Sequence, residues 1–144
     1  MFRVGRELFA ADLCAVEEAV ELEGLRPLPE MPSGMLGVFP LRGRMTPVYS
    51  PARALGVALG ERSGVALLMR ATVDGVAHRR VGLAIDDVED VLTVDLSTLR
   101  DPPLADGTDG LLLGLARRGA ELVAVIDAEA LVTACLSGRA LETA

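Results

Sequence analysis

Apolar residues occur along this chain in short runs that glycine, proline and charged residues interrupt. Runs of this length, bounded by turn residues, favour β-strands, and helical periodicity nowhere extends beyond about two turns. The pattern predicts a mainly β protein with short helices, and its strands are expected at residues 2–4, 8–11, 19–22, 36–41, 45–49, 65–69, 81–85, 111–115 and 122–126.

Turn residues separate several of these runs. Gly5 to Glu7, Asp74-Gly75 and Arg118-Gly119 each lie between two apolar runs, and Asp-Gly in that setting favours a hairpin. Longer surface loops are expected at residues 26–34 and 100–110, because the prolines there fix φ and remove amide donors.

Two short helices have clear start signals. Ser50 can accept hydrogen bonds from the first free amides, Pro51 has a φ suited to a helix, and residues 52–55 should then be helical up to Gly56. Asp127 occupies the same position before a second apolar segment.

The two helix starts belong to an internal echo. Residues 41–55 and 118–131 follow the same order of arginine, glycine, apolar strand, capping residue and helix. The echo predicts two similar small β units within one chain.

The composition is that of a folded protein. Of its 144 residues, 51% are hydrophobic and 3% aromatic, so the core must consist mainly of valine, leucine, alanine and methionine. A chain of this length can bury roughly 70% of its unfolded surface, which is enough for the core of one compact unit or of two interlocked small ones.

Charge and cysteine content narrow the class of protein. The formal net charge of −7 disfavours a nucleic-acid binder, because phosphate contacts need a basic surface and base stacking needs aromatic residues. No run approaches the roughly 20 apolar residues of a membrane-spanning helix, and the charged N-terminus differs from a signal peptide. Cys14 and Cys135 belong to no Cys-x-x-Cys pair, so we expect reduced, packed thiols in a cytoplasmic protein.

Residues suited to catalysis or metal binding are scarce. His78 is the single histidine, two arginines follow it, and an exposed strand residue is its expected state. One histidine and two separated cysteines cannot complete a zinc site, and the acidic residues 84–91 lack the glycine turn of a calcium loop. We therefore expect an interaction module rather than an enzyme, with no cofactor and no metal.

Two arginines interrupt the apolar stretch at residues 37–49, and Gly43 between them allows a turn or a close backbone approach. Arg42 is either a solvated rim charge or an anchor in a protein interface, where arginine is enriched. Strand alternation predicts a core face and an opposite face that meets solvent or a partner: Phe39, Leu41, Met45 and Tyr49 on the first, and Val38, Arg42 and Arg44 on the second.

Residues 37–57, GVFPLRGRMTPVYSPARALGV, resemble the signature of the chemotaxis coupling protein family, the CheW-like domain. The resemblance covers nearly the whole chain. The opening FRVGRELFAADLCAVEEAV places Val16 and Glu18 in the family's Val-x-Glu segment. RVGLAIDDVEDVLTV is similar to a middle element through Gly82, and LVAVIDAEALV is similar to the closing strand and helix.

The resemblance implies one CheW-like domain over residues 1–144, folded as two intertwined five-stranded SH3-like β barrels. It implies a non-catalytic adaptor that couples the cytoplasmic tip of chemoreceptors to the regulatory domain of a CheA-type histidine kinase. The implied receptor-binding residues are Val16, Glu18, Arg42 and Gly43, at a groove between the barrels. The kinase is expected at a separate barrel end, around Gly82.

Two positions depart from the family pattern. Pro40 stands where asparagine is usual, and Ser50-Pro51 replaces an Asp-Leu pair, although Ser50 keeps the capping chemistry. A rival hypothesis from another class is a small β-barrel sensory module that binds a metabolite between its barrels. The scarcity of aromatic residues and of converging polar groups counts against it.

Overall fold

The structure, a computed structural model, describes residues 1–31, 34–57, 64–73, 76–91 and 111–137, without the side chains of residues 71–73 and 76–79. Within these ranges the chain forms strands β1 to β10, two α-helices and one 3₁₀ turn at Leu13–Ala15. The strands are β1 Phe2–Val4, β2 Glu7–Ala10, β3 Val16–Glu21, β4 Met35–Leu41, β5 Arg44–Tyr49, β6 Val65–Val73, β7 Val76–Ile85, β8 Asp87–Val88, β9 Leu112–Arg118 and β10 Glu121–Ile126, and the helices are α1 Ala52–Leu55 and α2 Ala128–Ser137.

Each predicted apolar run falls in or overlaps one of these strands, and the mainly β class is confirmed. The sequence did not predict β8, which pairs with β1. This strand has only two residues, both exposed, and so produces no apolar run. Helix α2 has ten residues and follows Asp127, as its start signal predicted. The predicted turn residues Asp74-Gly75 lie outside the described residues, although Val73 pairs with Val76 beside them.

The strands form two sheets that have the same layout. Sheet 1 has the order β8-β1-β2-β10-β9, and sheet 2 has the order β3-β6-β7-β5-β4. In each sheet a hairpin pairs in parallel with the second strand of another hairpin, which a helix then follows. The two similar β units predicted from the internal echo are therefore confirmed.

The sheets are intertwined because each takes its edge strand from the other unit. Strand β3 follows β2 in the chain but pairs with β6, whereas β8 follows β7 but pairs with β1. Each sheet is therefore complete only with a strand that follows the hairpin of the other sheet in the chain.

Both helices begin where capping side chains satisfy free amides. Ser50 Oγ accepts a hydrogen bond from the Ala52 amide at 3.3 Å, and Asp127 Oδ1 accepts from Glu129 and Ala130 at 3.0 and 3.2 Å. Helix α1 ends at Gly56, whose φ of 72° is the left-handed conformation that glycine adopts without a steric penalty. The sequence signals for both helix starts are confirmed.

Alternation along the central strands divides the core into layers. In β6, Leu67 and Met69 face a large core between the two sheets, and Ala66 and Leu68 face the interior of sheet 2. Helices α1 and α2 cover the shared core with apolar side chains such as Leu55 and Leu131. A third, smaller cluster around Leu8 and Val123 fills sheet 1.

Sheet 2 closes into a barrel through the chain that leaves β3. Arg26 and Val38 exchange backbone hydrogen bonds of 2.8 and 2.9 Å, which ties this segment to β4, the opposite edge strand. The approach is possible because Gly37 has no side chain: a Cβ there would lie 2.3 Å from the Arg26 carbonyl oxygen. Its φ of +149° is also unfavourable for other residues.

We expect Gly37→Ala to lower the free energy of unfolding by about 1–3 kcal/mol, since the backbone at the closure must move apart. Gly64→Ala is the matched control, because a Cβ at Gly64 meets nothing within 4 Å. Chemical denaturation of both variants measures the effect. Equal stability of the two would contradict the assigned role of Gly37.

Candidate functional site

Arg42 and Gly43 form the two-residue turn between β4 and β5. Leu41 pairs with Arg44 across the turn, and φ is +49° at Arg42 and +79° at Gly43. Positive φ at both central positions is the property of a type I′ hairpin turn, which asparagine and glycine favour. Arg42 therefore does not alternate along a strand as predicted. The expected core position of Met45 was also wrong, because this residue is 56% exposed.

The Arg42 side chain reaches across the barrel to β3. Its two terminal nitrogens donate to the two carboxylate oxygens of Glu18, Nη1 to Oε2 at 2.7 Å and Nη2 to Oε1 at 2.6 Å. The Arg42 side chain is 61% exposed and that of Glu18 is 31% exposed. A two-pronged pair of this kind fixes the guanidinium plane and still leaves one of its faces open to a partner.

Electrostatics follow this geometry. The hydrogen bonds from Arg42 are the main reason that the pKa of Glu18 lies below its ordinary value of 4.5, with desolvation opposing them. The same bonds raise the pKa of Arg42. The pair therefore stays charged throughout the neutral range.

A second charged group lies next to this pair. The register of β3 shifts between Val16 and Glu18, which leaves Glu17 in a β-bulge. Glu17 forms ion pairs with Arg70 of β6 and, at 2.8 Å, with Arg80 of β7. Hydrogen bonding to Arg70 is the largest cause of the lowered pKa of Glu17.

Sequence reasoning missed Glu17, Arg70 and Arg80. A β-bulge leaves no sequence signal, and strand alternation cannot show that β6 and β7 bring two arginines side by side. The pairing of Arg70 with Arg80 in the register of β6 and β7 places them on one face.

These side chains line a basic groove of about 990 Å³. Its arginines are Arg42, Arg44, Arg70 and Arg80, its carboxylate is Glu17, and apolar side chains including Met35, Leu41 and Met45 form part of the wall. We call it the arginine groove. The feature is a local excess of positive charge on a chain whose formal net charge is −7.

An apolar groove of about 620 Å³ lies by β2, β9 and α2. Leu13, Val91 and Leu113 are exposed large hydrophobic residues along it, and Asp12, Asp127 and Glu129 also line it. Exposed apolar side chains grouped in this way are typical of contact surfaces.

The remaining predicted site residues are not exposed side chains of either groove. Val16 begins β3, is half-buried, and packs against the shared core. Gly82 is buried in the middle of β7, where an added Cβ would lie 3.4–3.6 Å from Val48, Ala66 and Leu68. Gly82 thus has no surface for direct contact, and a partner near it would have to touch neighbouring residues.

Groups for catalysis or metal binding remain few in the described part of the chain. No three His, Cys, Asp or Glu residues are grouped there as metal ligands, and none of its helices could span a membrane. The side chain of His78 lies outside the described residues. Cys135 is buried, which raises the pKa of its thiol to about 12, but the prediction of a packed Cys14 was wrong because that residue is exposed.

Comparison with known protein families identifies the family of this chain. The model of the CheW-like domain matches residues 1–135 of the chain. The chain belongs to the CheW-like domain family. The resemblance seen in the Leu41-Arg42-Gly43 stretch is thereby confirmed, and the grooves described above lie on a CheW-like fold.

Curated CheW-like relatives cover most of the chain. The chemotaxis protein CheW of Treponema pallidum is 26% identical over 129 residues, which are 88% of this chain and 76% of that protein. The chemotaxis protein CheW of Rhizobium meliloti is 33% identical over 102 residues, which are 71% of this chain and 64% of that protein.

A solved structure shares the CheW-like fold. The scaffolding protein TtCheW of Thermoanaerobacter tengcongensis superposes with a TM-score of 0.72 at 22% identity, covering 90% of this chain and 88% of that chain. The similarity confirms the predicted fold of two five-stranded units with short helices.

We expect Arg42→Gln to raise the pKa of Glu18 towards 4.5, because the variant loses the charged partner that depresses it. In the parent protein this pair contributes stability above the ordinary pKa, and the contribution is lost as pH falls through the lower folded value. An NMR titration of the carboxyl carbons measures both proteins. Glu89, whose pKa is lowered mainly by Arg3, is the internal control and should not change. An unchanged pKa of Glu18 would show that Arg42 is not its partner in solution.

Proposed function

We propose that this CheW-like protein is a non-catalytic adaptor that couples the cytoplasmic tip of chemoreceptors to the regulatory domain of a CheA-type histidine kinase. Family membership over residues 1–135 supports this role, as do relatives named chemotaxis protein CheW. The role places the protein in the cytoplasm, where receptor tips and kinase meet. The proposed adaptor is a single domain over residues 1–144.

The receptor contact is proposed at Val16, Glu18, Arg42 and Gly43. The observation that carries this choice is the conformation of Arg42, a non-glycine residue held at positive φ with its guanidinium fixed by Glu18. A strained residue at a hairpin tip needs a reason beyond packing, since asparagine or glycine suits the turn better. Presenting an oriented guanidinium to a partner supplies such a reason.

Contact area for a receptor helix comes from apolar side chains. Val16 begins the strand that carries Glu18, and exposed Leu13 precedes it by one 3₁₀ turn. The apolar groove that Leu13 lines continues past Val91 and Leu113. An interface with an apolar centre and an oriented charge at its rim fits the usual anatomy of protein contacts.

The kinase contact is proposed on a separate face of sheet 2, around Gly82. Gly82 is buried between β5 and β6, and Val81 and Leu83 beside it are buried too, so its part is to let these strands pack closely. Exposed residues at that end of the barrel make the contact. Two separate faces allow one molecule to hold both partners. Each contact can then be weak, of the order of 1,000 Å² in total, because linked contacts strengthen one another. No observation on the described residues favours the metabolite-binding alternative.

We expect Arg42→Asn to weaken binding of a receptor-tip fragment by about tenfold or more, as for an interface anchor, with an unchanged or slightly higher melting temperature. The melting temperature is maintained because asparagine tolerates the turn conformation better than arginine, which offsets the loss of the exposed ion pair with Glu18. Calorimetric titration and thermal unfolding measure the two effects.

Arg117→Asn is the matched control for this test, because Arg117 is an exposed arginine on edge strand β9. It removes the same charge and should leave receptor binding unchanged. Equal affinity of the Arg42→Asn variant and the parent protein would make Arg42 a solvated rim charge and remove it from the proposed contact.

A further inference from the structure

The strand registers relate the two sheets residue by residue. Sheet 1 and sheet 2 have corresponding orders, so β1 matches β6, β2 matches β7 and β10 matches β5. In parallel pairing Val125 lies beside Ala10, and Val48 lies beside Gly82. Val125 and Val48 are each the fifth residue of a strand that follows a two-residue turn, so Val125 is equivalent to Val48 and Ala10 is equivalent to Gly82.

Counting along the strands from these pairs identifies the charged positions. Arg3 pairs with Leu8 in sheet 1, and the equivalent pair in sheet 2 is Arg70 with Arg80. The hairpin residue Glu121 is equivalent to Arg44, since each is the first residue of its strand after a two-residue turn. Val88 opposite Phe2 matches Val16 opposite Met69, so Glu89 is equivalent to Glu17.

In sheet 1 this corner is neutralised within the chain. Arg3 Nε donates to Glu89 at 2.7 Å, and its two terminal nitrogens donate to the two oxygens of Glu121 at 2.8 and 3.0 Å. Arg118 adds a further ion pair to Glu121 at 3.3 Å. Two arginines thus face two glutamates, and the Arg3 side chain is only 26% exposed.

In sheet 2 the same corner keeps one ion pair and loses the other. Arg70 pairs with Glu17 as Arg3 pairs with Glu89. At the position of Glu121, however, stands Arg44, and at the position of buried Leu8 stands exposed Arg80. The ion pairs of the described residues do not include Arg44.

The result is a surplus of positive charge in the arginine groove. Its four arginines face two glutamates, Glu17 and Glu18, and the Arg70 side chain is 63% exposed. Arg70 and Arg80 share Glu17, and Arg44 has no ion pair among the described residues. Repulsion among arginines that outnumber their carboxylates disfavours the folded state, so an arrangement of this kind is typical of a surface that meets opposite charge.

We propose that the arginine groove binds an acidic segment of a partner protein, with a partner carboxylate taking beside Arg44, Arg70 and Arg80 the place that Glu121 takes beside Arg3 in sheet 1. Sheet 1 provides the template for this contact, because there a forked hydrogen bond joins arginine and carboxylate.

The lining of the groove indicates a peptide rather than a free anion. Met35, Leu41 and Met45 contribute apolar surface next to the arginines, and Met45 is largely exposed. A segment that places an apolar side chain beside its carboxylates satisfies both parts of this lining, whereas a small anion leaves the apolar part uncovered.

The inference goes beyond the proposed receptor contact. Arg42 also lines the arginine groove, but it is paired with Glu18, and the arginines that take the partner carboxylate are others. The inference depends on Arg44, Arg70 and Arg80, whereas the receptor contact is assigned to Val16, Glu18, Arg42 and Gly43. Binding of a probe peptide therefore tests it without a receptor or a kinase.

The experiment uses a fluorescent peptide in which glutamates alternate with leucines, and a counterpart with glutamine at every glutamate. We expect the full chain to bind the glutamate peptide, and to bind it several-fold less tightly when salt rises from about 0.05 M to about 0.3 M. The glutamine peptide should bind at least about tenfold more weakly, because charge-assisted bonds are lost. Fluorescence anisotropy measures each affinity.

Arg44→Glu is the decisive variant. It places in sheet 2 the carboxylate that sheet 1 has in Glu121, so the site is filled from within the chain and the peptide should no longer bind. Its melting temperature should not fall, because the new glutamate can pair with Arg70. Arg117→Glu makes the same change of charge on exposed strand β9 and should keep most of the peptide affinity.

Each outcome decides the matter. Loss of peptide binding in Arg44→Glu alone, with its fold intact, supports the inference. Equal binding of both peptides, no binding by the parent protein, or equal loss in both variants overturns it. Receptor-fragment binding measured in parallel separates the two proposals: peptide binding without receptor binding refutes only the receptor role, and the reverse refutes only the acidic-segment site.

Discussion

The shared apolar core between the two sheets is the interaction on which the rest of the molecule depends. Phe2 and Phe9 of sheet 1 pack there with Leu67 and Leu83 of sheet 2, and helix α2 adds Leu131. Each sheet interior alone is small, containing chiefly alanine, valine and leucine with few large side chains. The burial that stabilises either sheet is therefore largely burial against the other.

Exchange of β3 and β8 between the units follows from the same constraint. Each exchanged strand completes the sheet of the other unit, so neither sheet is complete on its own. Both charged clusters depend on these exchanged segments: β3 carries Glu17 and Glu18, and Glu89 follows β8. The positions of these surface glutamates thus depend on the exchange of strands between the two units.

The two corners show how a duplicated framework can serve two purposes. In sheet 1 the arginines are satisfied by Glu89 and Glu121, and the corner adds to the structure of the chain. In sheet 2 the equivalent positions bear Glu17 and Arg44, and Arg42 extends from the turn to Glu18. A charge that is neutralised within the chain on one unit is therefore in surplus on the other.

Local signals predicted the parts of this fold that local physics determines. Strand-length apolar runs, the caps at Ser50 and Asp127, and the stop at Gly56 were predictable because each depends on neighbouring residues alone. The positive φ of Arg42 was not predictable, since arginine rarely adopts it and strand alternation extended naturally through residue 42. Nor could the sequence show the bulge at Glu17, which depends on register with β6. The residue pattern did identify Arg42 and Glu18 through the family resemblance, and the structure joins them in one ion pair.

The central claim is that one molecule holds a receptor and a kinase at the same time on separate faces. Sedimentation velocity of the chain with a receptor-tip fragment and a kinase regulatory domain, alone and together, tests it most directly. The account predicts two binary complexes and a faster-sedimenting species that contains all three proteins. Displacement of one partner by the other, or failure of the chain to bind either, would contradict it.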